Sequence, residues 1–166
     1  MLLCLVQHGE ARPKEEDPDR HLTARGRADV RRVAEFLAPL GLRVAAIWHS
    51  GKARAAETAE LLGRAAIGKA GPAIRSDEGV VLHEGLSPDD DIGPIRKELE
   101  RAEGDLMLVG HLPFLSRLAS RLLAGDESVE VVAFQRGGVV CLERSADGRW
   151  RVAWALTPHL LASAKP

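Results

Sequence analysis

The chain predicts a three-layer α/β/α sandwich with a mostly parallel central sheet and antiparallel strands added near the C-terminus. Three observations carry that expectation. The runs Met1–Val6, Val44–Trp48 and Asp105–Val109 are short and almost continuously apolar, as strands buried on both faces are. Stretches of helical period separate them. Past residue 130 the pattern changes to short runs parted by Gly137-Gly138 and by Asp147-Gly148, which are hairpin signals.

Each element follows in order. After Met1–Val6 comes a charged loop, Ala11 to His21, holding two prolines. A helix is expected from Thr23 as N-cap, with Val30, Val33, Ala34 and Leu37 on one face and Gly41 past its end. Val44–Trp48 is the second strand, and His49-Ser50-Gly51 leads into a helix over Lys52 to Ala66. Val80–Leu82 is a weaker strand before the acidic loop Ser87 to Asp91, whose aspartates are expected to cap the helix marked by Ile92, Ile95 and Leu99. Asp105–Val109 is a buried strand. Gly110-His111-Leu112-Pro113 then opens a helix faced by Leu115, Leu118, Ala119 and Leu122, with proline in its first turn. Val131–Phe134, Val139–Leu142 and Arg151–Ala155 complete the strands. Trp150 and Trp154, an even count apart, are expected to share a face.

Composition narrows the function classes. The 166 residues are 45% hydrophobic, which suits a single domain over 1–166. Lys and Arg number 23 against 24 Asp and Glu, so no general charge favours nucleic acid or an anionic membrane. Aromatics are 4% with no tyrosine, a poor basis for base stacking. The apolar opening is too short for a membrane span and lacks a preceding basic segment. Cys4 and Cys141 lie in strand-like runs, as buried thiols of a reducing, cytoplasmic compartment do. A monomer is expected. His21, His49, His83 and His159 share no ligand spacing and no Cys-x-x-Cys occurs, so neither a metal nor a cofactor is expected.

Chemistry concentrates at three strand-to-helix junctions: Gln7-His8-Gly9, His49-Ser50-Gly51-Lys52-Ala53-Arg54 and Gly110-His111. If their strands are neighbours, the junctions converge on one rim, where open α/β sheets place ligands. A neutral histidine can attack an electrophile, while arginine, a second histidine and helix N-termini hold an oxyanion. Such a set suits a phosphoryl group, whose transfer depends on positioning and charge stabilisation. Each residue alone has a structural explanation; their joint placement points to the chemistry.

The order Gln7-His8-Gly9-Glu10-Ala11, Leu22-Thr23-Ala24-Arg25-Gly26, Ser50 to Ala59 (with Arg54-Ala55-Ala56-Glu57-Thr58) and Gly110-His111-Leu112-Pro113 resembles the histidine phosphatase superfamily, with its phosphoglycerate-mutase-like fold. Short length, Leu86-Ser87-Pro88-Asp89-Asp90-Asp91 and the late Gly137-Gly138 turn resemble its small SixA-type phosphohistidine phosphatases. The resemblance implies a metal-independent phosphatase with His8 as nucleophile and Arg54 and His111 as catalytic, phosphate-binding partners. Gly9 would give room at the phosphate site. A phosphorylated histidine-containing phosphotransfer protein or domain would be the partner. A small-molecule phosphomonoesterase and a phosphate-binding module without turnover are the alternatives.

Position 7 departs from the pattern, because the superfamily's arginine is here Gln7. Glutamine still donates a neutral hydrogen bond to phosphate but offers no charged fork. The substitution weakens phosphoryl binding by ~1–3 kcal/mol, the worth of one bond to a charged group. Less like-charge repulsion would also let His8 titrate higher and shift activity to the alkaline side. Lys52, near Arg54, is a candidate to replace the charge. Glu84 is the candidate proton donor, at about the place where larger relatives carry one.

Overall fold

The computed structural model describes residues 1–64, 74–76 and 79–163. In chain order the elements are β1 (Leu2–Gln7), α1 (Ala24–Leu37), β2 (Leu42–Val44), β3 (Ala46–His49), α2 (Ala53–Arg64), β4 (Ile74–Ser76), β5 (Val80–Leu82), α3 (Ile92–Arg101), β6 (Leu106–Gly110), α4 (Phe114–Ala124), β7 (Val139–Arg144), β8 (Trp150–Leu156) and α5 (Pro158–Ser163). A six-stranded sheet runs β5-β3-β6-β1-β7-β8. Its first four strands are parallel, and β7 and β8 join antiparallel.

The near-continuous apolar strands are explained by two cores, one on each face. Cys4 and Val6 of β1 and Met107 and Val109 of β6 pack with Val30, Val33, Ala34 and Leu37 of α1 and Ala55, Ala59 and Leu62 of α2. Leu3, Leu5, Leu106 and Leu108 face the other way, onto Ile92, Ile95 and Leu99 of α3 and Phe114, Leu115, Leu118 and Ala119 of α4. Leu161 places α5 on the α1 side. Both faces of the central strands are therefore dry, and the predicted sandwich stands.

Local signals explain the helix starts. Thr23 Oγ1 accepts the Gly26 N–H at 2.9 Å, and Asp91 Oδ1 accepts the Gly93 N–H at 2.9 Å, each satisfying a first-turn donor. A short 3-10 turn, Ala38–Leu40, follows α1, and Gly41 at φ 63° ends it.

Several expectations change. The run Val44–Trp48 is not one strand: Leu42–Val44 pairs in parallel with Ile74–Ser76 in a separate sheet, and Ala46–His49 enters the main one. At the break the Ala45 N–H donates to the Asp105 carbonyl at 2.7 Å. The expected end of α2 at Ala66 lies outside the described residues. Val131–Phe134 joins no ladder; Val132 and Phe134 satisfy their alternation by packing on the α3/α4 core instead. Trp150 and Trp154 lie on opposite faces, against different cores. The register of β7 with β8 shifts between Cys141 and Leu142, and one extra residue in β8 reverses the alternation. α5 was not expected. Cys4 and Cys141 are buried, free, and direct partners across β1 and β7.

Candidate phosphoryl-transfer site

Because β3, β6 and β1 are parallel neighbours, the three polar junctions meet at one rim of the sheet. The His8 N–H donates to the Gly110 carbonyl at 3.1 Å, which ties the first junction to the third. The His8 and His111 rings stand with centroids 4.9 Å apart.

The hydrogen bonds fix the tautomer of His8. Arg54 Nε–H donates to His8 Nε2 at 3.2 Å, and a guanidinium can only donate, so Nε2 carries a lone pair. The proton is then on Nδ1, which lies 2.7 Å from the Gly9 carbonyl and donates to it. Burial lowers the His8 pKa from 6.5 to about 4, against the opposing Gly9 bond, and the charges of Arg54, Arg136 and Arg20 lower it further. The ring is thus neutral at pH 7, with its lone pair on Nε2. Burial is the main reason that His8 stays neutral with glutamine at position 7, and three guanidinium groups from elsewhere in the chain add to it.

His111 is 2% exposed, and its Nε2 lies 2.6 Å from Ser50 Oγ. Its Nδ1 is buried without a hydrogen-bond partner among the described residues. Burial first, then His8, Arg54, Lys52 and Arg20, lower its pKa to about 3. Lys52 therefore acts on His111 from an exposed position, while the arginines dominate around His8.

The same motifs supply the bonds that hold these residues in place. The Gly9 N–H donates to Thr58 Oγ1 at 3.0 Å, and that hydroxyl donates to the Arg54 carbonyl at 2.7 Å. Gly9 thus has its amide committed to α2. Its open side faces α1: a methyl there would lie 2.9 Å from Val30 Cγ2 and 3.1 Å from the Gly26 carbonyl. On that side the glycine is needed for helix packing. Gly26 is tighter still, since its Cβ would stand 2.1 Å from the Glu10 carbonyl oxygen. Thr23 completes the joint by donating from Oγ1 to Glu10 Oε1 at 2.8 Å.

Gln7 lies at the end of β1 opposite Gly110, on the strand parity of Leu3 and Leu5, so it belongs to the α3/α4 face. No hydrogen bond of its side chain with His8, Arg54 or His111 occurs among the described residues. Glu84 follows β5 on the same rim and is exposed, also without such a bond. Its neighbour His83 stacks on Trp48 at 4.1 Å and meets Glu98 at 3.0 Å, a packing role.

Two basic residues were not foreseen. Gly137 donates its N–H to the carbonyls of Gln7, at 2.9 Å, and His8, at 3.3 Å, and so brings the charge of Arg136 to bear on His8. Arg20 comes from the loop after β1. Neither sits in a helix or a strand-end motif, so spacing alone gave no signal. In that loop Asp17, Asp19 and His21 bring their ligand atoms within 4.8 Å of one another, but their contacts are hydrogen bonds that shape the turn. A groove of about 840 Å³ lined by Met1, Arg144 and Trp150 lies at the other end of the sheet. There Arg144 is committed to the carbonyls of Leu99, Glu100 and Ala102 at the end of α3.

A neutral imidazole whose Nε2 accepts from an arginine, with a second buried histidine beside it, is thus set among positive charges at the rim. The chain belongs to the histidine phosphatase superfamily: the family model "Histidine phosphatase superfamily (branch 1)" matches residues 3–78. Its fold is that of the protein histidine phosphatase SixA complexed with tungstate, with a TM-score of 0.79, 21% identity, and 97% of this chain and 99% of that one covered. An uncharacterised protein of Picosynechococcus sp. is 31% identical over 153 residues, 88% of this chain and 87% of the relative. A phosphoserine phosphatase mutant of Entamoeba histolytica, in complex with phosphoserine, shares the fold at a TM-score of 0.64 and 16% identity, with 95% and 97% covered.

Proposed function

We propose that this protein is a phosphatase that hydrolyses phosphohistidine on a partner protein through a phosphohistidine intermediate on His8. The observation that carries the reading is the chain Arg54 Nε–H to His8 Nε2, with His8 Nδ1–H to the Gly9 carbonyl, at 3.2 and 2.7 Å. It keeps the proton off the nitrogen that must attack, and the Arg54 bond gives way as the lone pair of Nε2 turns to phosphorus. In the first step that lone pair forms a bond to phosphorus in line, and the bond to the leaving group breaks with its electron pair. Arg54 and His111 hold the equatorial oxygens as charge develops. Water then attacks the phosphorus, the P–Nε2 bond breaks, and His8 returns to its neutral form with phosphate released.

Two features support a phosphoramidate substrate on a protein. Glu84 stands exposed and outside the hydrogen-bonded site, and an imidazole that leaves in protonated form needs no strong acid from the enzyme. Leu82 and Leu112, 61% and 39% exposed, flank the junctions and give the rim an apolar border for a partner surface. The partner would be a histidine-containing phosphotransfer protein or domain. The likeness in fold to a phosphoserine phosphatase gives the second reading, a small phosphomonoester.

Rapid-quench trapping tests the proposal. A phosphohistidine protein should yield an acid-labile, base-stable phosphoenzyme that His8→Ala abolishes, and it should turn over faster than p-nitrophenyl phosphate. Faster turnover of the small ester selects the second reading. Binding of donors with no trapped intermediate makes the protein a phosphate-binding module.

A further inference from the structure

The chain has two cysteines, and the fold sets them against each other. Cys4 of β1 and Cys141 of β7 are direct partners in an antiparallel ladder, and both are free thiols in the α1/α2 core. Side chains of such a pair leave the sheet on one face, from Cα atoms about 4.5–5.5 Å apart. Disulfides span Cα separations of about 4.4–6.8 Å, so the sulfurs can be joined where the backbone already stands. The thiols also hydrogen-bond to each other, which raises the pKa of Cys4 and lowers that of Cys141. Cys141 therefore ionises more readily, and the thiolate is the form that reacts.

Two features set this pair apart from ordinary buried cysteines. Cys141 is fully buried, but Cys4 opens on a crevice of about 10 Å³ between the small sheet and the large one, lined also by Leu2, Val44, Asp105 and Met107. That is the room of one water, and hydrogen peroxide is little larger. The second feature is what the pair connects. β1 ends in Gln7 and leads to His8, while the chain entering β7 carries Gly137, whose N–H binds the carbonyls of Gln7 and His8. A bond between the cysteines joins the two strands whose ends hold His8.

We infer that Cys4 and Cys141 are a modification site, a pair of thiols that a hydroperoxide converts to a disulfide between β1 and β7. The Cys141 thiolate attacks the peroxide, the O–O bond breaks, and the departing oxygen takes up a proton to leave as water or an alcohol. The Cys4 sulfur then attacks the sulfenic acid on Cys141 and loses its proton, and the S–O bond breaks to release water. Two electrons pass from the pair of thiols to one peroxide. The bond closes almost the whole chain into one loop and leaves the backbone around His8 in place.

The test is hydrogen peroxide on the folded full chain, followed by intact mass and a non-reducing peptide map. The expected product is a single chain lighter by two hydrogens, with one peptide joining Cys4 to Cys141. Its urea midpoint should rise by roughly 1–2 M, because closing so long a loop restrains the unfolded chain. The amide NMR signals of His8, Gly9 and Gly137 should keep their positions. Dithiothreitol should restore the original mass and midpoint. Cys4→Ala and Cys141→Ala should show neither cross-link nor shift, and the reduced parent is a control that does not depend on either variant folding. Met107 stands opposite Cys4 on β6 as a competing sulfur. Oxygen added to Met107 or to one cysteine without a cross-link overturns the inference. So does a disulfide between two chains, a cross-link that forms only after urea has unfolded the protein, or one that lowers the midpoint.

Discussion

Thr58 joins Gly9 to Arg54: one hydroxyl accepts the Gly9 N–H at 3.0 Å and donates to the Arg54 carbonyl at 2.7 Å. The loop after His8 and the helix that carries Arg54 are therefore one hydrogen-bonded unit. Thr58→Val keeps the shape but orphans a buried donor and an acceptor, at a cost of about 1–3 kcal/mol. The expected outcome is a lower midpoint in urea together with slower phosphoenzyme formation. Thr58→Ser should restore both.

The two histidines make stability depend on pH. Their pKa values lie at about 4 for His8 and about 3 for His111 in the folded chain, below the ordinary 6.5, with burial the leading cause. Between pH 6.5 and those values the unfolded chain binds more protons than the folded one, so stability rises with pH across that window. Above pH 6.5 both rings are neutral in either state and the effect vanishes. The melting temperature should fall on acidification from pH 7 to pH 4, and less so in His111→Asn. Phosphoenzyme formation should stay level down to about pH 5, because His8 keeps its lone pair there.

Ser50 holds His111 by the bond to its Nε2 found among the described residues, at 2.6 Å. Ser50→Ala should release the ring and weaken vanadate binding by about 1 kcal/mol, roughly fivefold. Calorimetric titration of the variant checks this, with thermal melting as the control for folding.

Gly26 has no room for a side chain, since a Cβ would stand 2.1 Å from the Glu10 carbonyl oxygen and 2.8 Å from its nitrogen. Gly26→Ala must push α1 off the strand end or shift the backbone that follows His8. A loss of about 1–3 kcal/mol in chemical denaturation is expected, the usual range for overpacking.

Glu84 separates the two substrate classes. With Glu84 as proton donor, Glu84→Gln should slow an alkyl phosphate such as phosphoserine by about 10²-fold or more, the reach of general acid catalysis. Phosphohistidine hydrolysis should fall far less. Parallel turnover measurements give the ratio, and equal losses would assign Glu84 a role other than protonation.

Local chemistry wrote the legible part of this molecule. Thr23 and Asp91 cap their helices through bonds to residues two or three positions away, and such spacings are visible in a string of letters. His8, Arg54 and His111 were legible for a related reason: each follows a strand whose apolar run announces it. The rest depends on partners distant in the chain. Val131–Phe134 has the alternation of a strand but finds a core rather than a ladder. One added residue in β8 sends Trp150 and Trp154 to opposite faces, and no propensity records a bulge. Arg20 and Arg136 reach the site from irregular segments, where their aim depends on closures made elsewhere. Reasoning from Gln7 alone therefore underrated the positive charge around His8.

The contact of Gly9 and Gly26 with their neighbours also divides the site into a fixed half and a variable half. Behind His8 the chain is packed to the limit of atomic size, so that side cannot widen for a larger substrate or retreat from a smaller one. At the rim itself the end of β5 and the loop after β6 leave Leu82 and Leu112 exposed, without that close packing. Any change in what this scaffold accepts must therefore be made at its front, while the back holds the position of His8.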